Sequence, residues 1–299
     1  MKSNNKPRRP FLARAHAFHI PRIEERAAKK RASSRGYRSV DDEILSILRS
    51  AQEGDFNVLA RLLPIMKNYD DDLLWGEASF LLSYAAPSSV LREVLHGFSK
   101  QLFVDKDYVV QSWIAETLLN SGLLWAIPEA LRILKAQEDR SKMFSIPARL
   151  SFLIEVEPGE VFFGPDEVPE PGPWPDWFDP PFTYNDSDYI EMVTAHFNRL
   201  VSNARYGADT AFLLGNEINV AEMSYYTLQT IGKSGDTEDI ALIRTVLEAQ
   251  TGYDLSGFYS NLILDRNGAI GAIENLFDDV DLSKFSAGKR YFFGKLISD

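Results

Sequence analysis

Asp70-Asp71-Asp72-Leu73-Leu74-Trp75-Gly76-Glu77-Ala78-Ser79-Phe80-Leu81-Leu82-Ser83-Tyr84-Ala85, closed by Pro87, sets the architecture of this chain. Leu74, Ala78, Leu81 and Ala85 recur at i, i+4, i+7 and i+11, an apolar stripe of helical period, and Pro87 cannot continue the helix. On the N-terminal side, Asp41 is placed to cap a helix with Ile44, Ile47, Leu48 and Ala51 on one face, and Gly54 to end it. Phe56 to Lys67 reads as a second helix. On the C-terminal side, Ser88 to Gln101 and Asp107 to Ser121 carry wide apolar stripes, and another helix begins near Pro128.

Short helices of this kind cannot bury their own surface alone, so neighbouring pairs must stack. A shift of 38 residues places Trp75 on Trp113 and Leu81 on Leu119, and a shift of 33 places Tyr226 on Tyr259, Ile240 on Ile273 and Ile243 on Leu276. The expectation is a mainly all-α fold of stacked helical hairpins, a HEAT-like α-solenoid, with an irregular Pro- and aromatic-rich insertion between two halves.

Charge divides the chain further. Residues 1–38 hold 12 Lys and Arg against Glu24 and Glu25, a net of +10, while the remainder holds 20 bases against 41 acids, a net of -21. The first segment has few apolar residues and Pro7, Pro10 and Pro21, so it reads as a disordered basic arm. Residues 39–156 and 187–299 read as two sets of helical repeats. Between them, residues 157–186 carry eight of the fifteen prolines, eight carboxylates, no base and seven aromatic rings. Repeated proline forbids helix there, and the rings make the segment either a strap across the two halves or a recognition loop.

Each common arrangement for chemistry is incomplete. Gly232-Lys233-Ser234 has Thr227 where a phosphate loop needs glycine, and Ser286-Ala287-Gly288-Lys289 lacks the partner motifs of a serine-lysine enzyme. The chain has no cysteine, which excludes disulfides and thiolate chemistry. The four histidines lack zinc-binding spacing, and His96 and His196 read as partly buried helix residues. Asp70-Asp71-Asp72 and Asp278-Asp279-Val280-Asp281 lack the remainder of a calcium loop and read as helix caps and solvated ends. No catalytic residue, metal or cofactor is expected. No apolar run is long enough to span a bilayer and no secretory leader is evident, which points to the cytoplasm.

Asp71-Asp72-Leu73-Leu74-Trp75-Gly76-Glu77, the stripe from Val90 to Phe98, and Trp113-Ile114-Ala115-Glu116-Thr117-Leu118-Leu119-Asn120-Ser121 together resemble the HEAT-like helical immunity proteins of bacterial polymorphic-toxin and contact-inhibition systems. The resemblance covers Asp41 to Gly122. It implies a non-catalytic inhibitor that binds a cognate toxin domain. An acidic body suits a partner with a basic surface, such as a nuclease, with Trp174, Asp176, Trp177, Asp179, Asp70, Asp71 and Glu77 as candidate partner-binding residues. The alternative is a HEAT-like adaptor tethered to RNA or anionic lipid through residues 1–38.

Overall fold

The computed structural model describes residues 39–68, 72–137, 145–154, 186–202, 205–231, 238–260 and 263–299. Helix predominates within them, as the periodicity predicts. Helix α1 spans Ser39–Glu53, and a 3-10 turn over Asn57–Arg61 leads into α2, Leu62–Asn68. Then come α3 (Asp72–Ala85), α4 (Ser88–Gly97), α5 (Ser99–Phe103), α6 (Tyr108–Asn120), α7 (Ala126–Ala136) and α8 (Ser145–Ile154). After α9 (Asp186–Val201) follow strands β1 (Phe212–Leu213) and β2 (Asn216–Glu217), then α10 (Val220–Ile231) and α11 (Glu238–Thr251). Strands β3 (Tyr259–Ser260) and β4 (Ile263–Leu264), helix α12 (Arg266–Asp279), and strands β5 (Tyr291–Phe292) and β6 (Lys295–Leu296) complete the order.

Local chemistry accounts for most boundaries. The Asp107 carboxylate accepts from the Val109 and Val110 amides at 3.0 and 3.3 Å and caps α6. Asp265 caps α12 through the Gly268 amide at 3.0 Å. Two expectations shift. Helix α1 is already formed at Ser39 with Val40 buried, so Asp41 lies inside it rather than at its cap. The helix expected over Ser88 to Gln101 divides at Phe98, whose buried ring lies 5.1 Å from that of Trp75.

Helices α3, α6 and α11 are buried on nearly every side, which marks them as central. Helix α3 packs against α6 and α11, α6 against α7 and α8, and α11 against α10 and β5. A single apolar core therefore runs from Val40 to Phe292. In α11, Ile240, Ile243 and Leu247 are fully enclosed, each burial contributing about 1.5–3 kcal/mol. The same helix buries an Arg244–Glu248 ion pair at 3.5 Å, with the guanidinium 5.4 Å from the centre of the Tyr259 ring.

The strands form three antiparallel hairpins, β1–β2, β3–β4 and β5–β6. The first and third belong to a repeat that the shifts of 38 and 33 do not detect. A shift of 79 residues lays α9 on α12, Arg205-Tyr206 on Lys284-Phe285, and Ala211-Phe212-Leu213-Leu214-Gly215 on Arg290-Tyr291-Phe292-Phe293-Gly294, without a gap. The contacts repeat with the sequence. Arg205 sits 5.6 Å over the Tyr206 ring and Lys284 5.1 Å over that of Phe285. Tyr206 meets Phe212 edge-on at 5.0 Å, as Phe285 meets Tyr291. Both turns take positive φ at two successive residues, Leu214 (49°) with Gly215 (70°) and Phe293 (49°) with Gly294 (75°), the geometry of tight hairpins. By contrast, the shift of 33 lays Tyr226, in α10, on Tyr259, in β3.

Gly288 joins the two copies. Its carbonyl accepts from the Ala211 amide and its amide donates to the Ile218 carbonyl, both at 2.9 Å. With φ at 71° and the Thr210 methyl 2.9 Å from where a Cβ would stand, glycine alone fits without strain.

Candidate functional site

Two neighbouring exposed tyrosines lie where α10 meets the end of α12. Tyr225 is 59% exposed and Tyr226 41% exposed on the outer face of α10. The Tyr225 ring stacks on Phe277 at 4.7 Å. Phe277 is followed by Asp278 and Asp279, both exposed. The Tyr253 hydroxyl donates to an Asp279 carboxylate oxygen at 2.7 Å. That hydrogen bond, followed by desolvation and by the charges of Asp279, Asp254 and Asp278, raises the Tyr253 pKa to about 12. The phenol is thus a neutral donor within a field of three carboxylates. Asp281 lies beyond them, its carboxyl held below its ordinary value first by hydrogen bonds from the Ser283 hydroxyl and amide and then by Lys284.

This arrangement runs against helix stability. Carboxylates in a last turn face the negative end of the helix dipole, at about 0.3–1 kcal/mol each, and the last turn of α12 contains no base. Exposed rings beside uncompensated carboxylates present a surface complementary to cationic groups and their apolar stems. Local sequence offers little signal for it: Tyr225 and Phe277 lie in separate helices, and Asp278-Asp279 reads as a solvated helix end. Only Asp281, which caps the short turn Leu282–Lys284 through the Ser283 amide at 3.1 Å, behaves as the cap expected there.

Of the sequence-derived candidates, Trp174, Asp176, Trp177, Asp179, Asp70 and Asp71 lie outside the described residues. Glu77 is half-buried on α3. Trp75 and Trp125 are buried as expected and Trp113 is half-buried. The Trp125 indole donates to the Ser88 hydroxyl at 3.1 Å, and Arg92 lies 4.0 Å over its ring. His96 is exposed rather than partly buried, and His196 is half-buried beside Arg199 at 3.2 Å. Among the described residues no group of three or more His, Asp or Glu is placed to hold a metal, and no helix is long and apolar enough to cross a membrane.

No protein-family model matches the sequence, and no curated protein and no solved structure shows significant similarity to it.

Proposed function

We propose that this chain is a non-catalytic protein-binding module that captures a partner with a basic surface, in the manner of a cytoplasmic immunity protein neutralising a nuclease-like toxin domain. The observation that carries this reading is the exposed Tyr225–Tyr226 pair on α10, with Tyr225 against Phe277 and the exposed Asp278 and Asp279 next in sequence at the end of α12. The net charge of -21 outside the basic arm gives the same preference at long range, where it speeds encounter with a cationic partner. In this reading the helical pairs of residues 39–136 form a HEAT-like stack, supported by the packing of α3 on α6 and α6 on α7. The candidates Trp174, Asp176, Trp177, Asp179, Asp70, Asp71 and Glu77 belong to the same proposal as a second contact region.

The test begins with the gene immediately upstream. If it encodes a toxin domain, the chain should block that domain's activity and bind it at nanomolar Kd. Tyr225→Ala should speed dissociation by roughly tenfold or more, as truncated aromatic anchors do. Asp278→Asn with Asp279→Asn should slow association, most visibly at low salt. A neighbouring toxin that binds with unchanged kinetics in both variants would remove the α10–α12 face from the reading. Absence of any toxin gene, together with retention of RNA or anionic vesicles by residues 1–38, would favour the adaptor reading, for which the +10 charge of that segment speaks.

A further inference from the structure

The corner between α3 and α4 is gripped by two opposite charges from one short stretch of the C-terminal chain. Arg290 donates to the Ser83 and Ala86 carbonyls at the end of α3. An Asp299 carboxylate oxygen accepts from both the amide and the hydroxyl of Ser89, each at 2.8 Å, in the first turn of α4. Each charge has the sign that its helix end favours, a cation at a C-terminus and an anion at an N-terminus. The two also favour one another, since the Asp299 charge opposes the lowering that burial imposes on the Arg290 pKa. Tyr84, the other group acting on that guanidinium, is neutral at pH 7, because burial raises its pKa to about 12 against the influence of Arg149 and Arg290.

The two grips differ in how deeply they are set. Arg290 is buried, and the hairpin that carries it is fixed to α11. There the Tyr291 amide donates to the Gln250 side-chain oxygen at 2.9 Å, and the Phe293 and Gly294 amides donate to the Ala249 and Gln250 carbonyls at 2.8 Å. Asp299 and Ser89, by contrast, are both exposed, as is Ser298 between them and the hairpin. The two grips border a cleft of about 220 Å³, whose lining includes Pro87, Ser88, Leu123, Arg290, Ile297 and Asp299. Ser88 is only 8% exposed in it, with its hydroxyl donating to Asp209 and accepting from the Trp125 indole. Exposed segments held by few hydrogen bonds open at far lower free energy than a buried core.

We infer that Ile297–Asp299 is a releasable strap over this cleft, with Arg290 as the fixed pin of the α3–α4 corner and Asp299 as the catch. Opening breaks three hydrogen bonds as a unit, the two that Asp299 accepts from Ser89 and the one from the Ile297 amide to the Arg290 carbonyl. The cleft is then uncovered down to Ser88 while the β5–β6 hairpin stays on α11. The inference is independent of the protein-partner reading, which concerns α10 and α12.

The test uses the full chain, which contains no cysteine, so that a single introduced thiol reports on one place. Ser88→Cys should react with N-ethylmaleimide at a rate set by how often the strap opens. Adding Asp299→Ala should speed that reaction by roughly tenfold, the effect of about 1.4 kcal/mol. Ser224→Cys, fully buried in α10, should react no faster when Asp299 is changed. Because Ser88→Cys also alters the contacts with Asp209 and Trp125, hydrogen exchange is followed in the chain without a thiol. In Asp299→Ala the Ile297 amide, whose own acceptor is untouched, should exchange faster, whereas the Phe293 and Gly294 amides should keep their protection. An unchanged Ile297 amide, or unchanged labelling of Ser88→Cys, would overturn the inference. So would equal acceleration at Phe293 and Gly294 or at Ser224→Cys, which would mean that the hairpin or the whole fold opens instead.

Discussion

The two copies of the 79-residue repeat share a backbone and differ in what they hold. In the first, Ala211 is small, buried and paired through its main chain, while Asp209 reaches out to accept from the Ser88 hydroxyl at 2.6 Å. In the second, Arg290 replaces Ala211 and Gly288 replaces Asp209. The Arg290 guanidinium is buried and donates to the Ala86 and Ser83 carbonyls at 2.7 and 2.6 Å, closing the C-terminal end of α3. Burial lowers its pKa to about 10, partly offset by Asp299 and Tyr84, so the side chain is charged at neutral pH. Both hairpins are tied down through main-chain amides, Phe212 and Gly215 donating to the Gly122 and Leu153 carbonyls and Phe293 and Gly294 to the Ala249 and Gln250 carbonyls, and the second adds a cation inserted into a helix end. The same local geometry serves two kinds of attachment because the hairpin fixes direction and leaves side-chain chemistry open.

The sharpest way to break this comparison is Arg290→Met. It leaves two buried carbonyls without their donor, at about 1–3 kcal/mol each, so a loss of about 3 kcal/mol is expected in chemical denaturation. That corresponds to a fall in melting temperature of roughly 2–4 °C per kcal/mol for a chain of this size. A loss under about 1 kcal/mol would mean that water or a neighbouring group replaces the guanidinium. Next in size, Gly288→Ala forces a left-handed alanine against Thr210 and should cost about 2 kcal/mol, whereas Asp209→Ala should cost about 1 kcal/mol, the value of one hydrogen bond.

A finer comparison uses the turns. Leu214→Asn and Phe293→Asn both place a residue that tolerates positive φ where a larger one now stands. Leu214→Asn should change stability by less than about 0.5 kcal/mol, while Phe293→Asn should cost about 1 kcal/mol more, because the Phe293 ring packs over Gly252 and beside Phe292. Equal effects would show that the two tips are interchangeable.

The smallest effect at neutral pH belongs to Tyr84. Its folded pKa, about 12, is raised above the ordinary 10.0. Stability tied to its neutral form is therefore complete below pH 10 and lost as the pH rises from about 10 toward 12. Tyr84→Phe should flatten that loss in alkaline denaturation while changing little at pH 7. The depressed pKa of Arg290 acts in the opposite direction over the same range, so the Tyr84→Phe difference is the quantity to measure.

The helical part of this architecture was legible because it rests on local signals: the stripe in α3, the stripe from Asp107 to Ser121 and the stop at Pro87. The hairpins were not, since their turns begin with Leu214 and Phe293 rather than the Asn or Asp that usually announces such geometry. Their tertiary packing overrides local preference, as the partly buried positions of both side chains show. The exposed aromatic face was hidden for another reason. Tyr225 and Phe277 meet only after α10 and α12 pack, and each fits an ordinary amphipathic helix. Of the candidate partner-binding residues read from the sequence, Glu77 alone falls within the described residues.

The Arg290 attachment also has a timing. Its two acceptors lie 204 and 207 residues earlier in the chain. At a synthesis rate of roughly 5–20 residues per second, the ribosome leaves the end of α3 without its donor for roughly 10–40 s. Throughout that interval the Ser83 and Ala86 carbonyls and the α3 surface that packs on α11 wait for the distal chain, so the nascent N-terminal part exposes apolar surface before the fold is finished. Refolding of the whole chain should accordingly be slow for a helical protein, limited by a contact that spans most of its length.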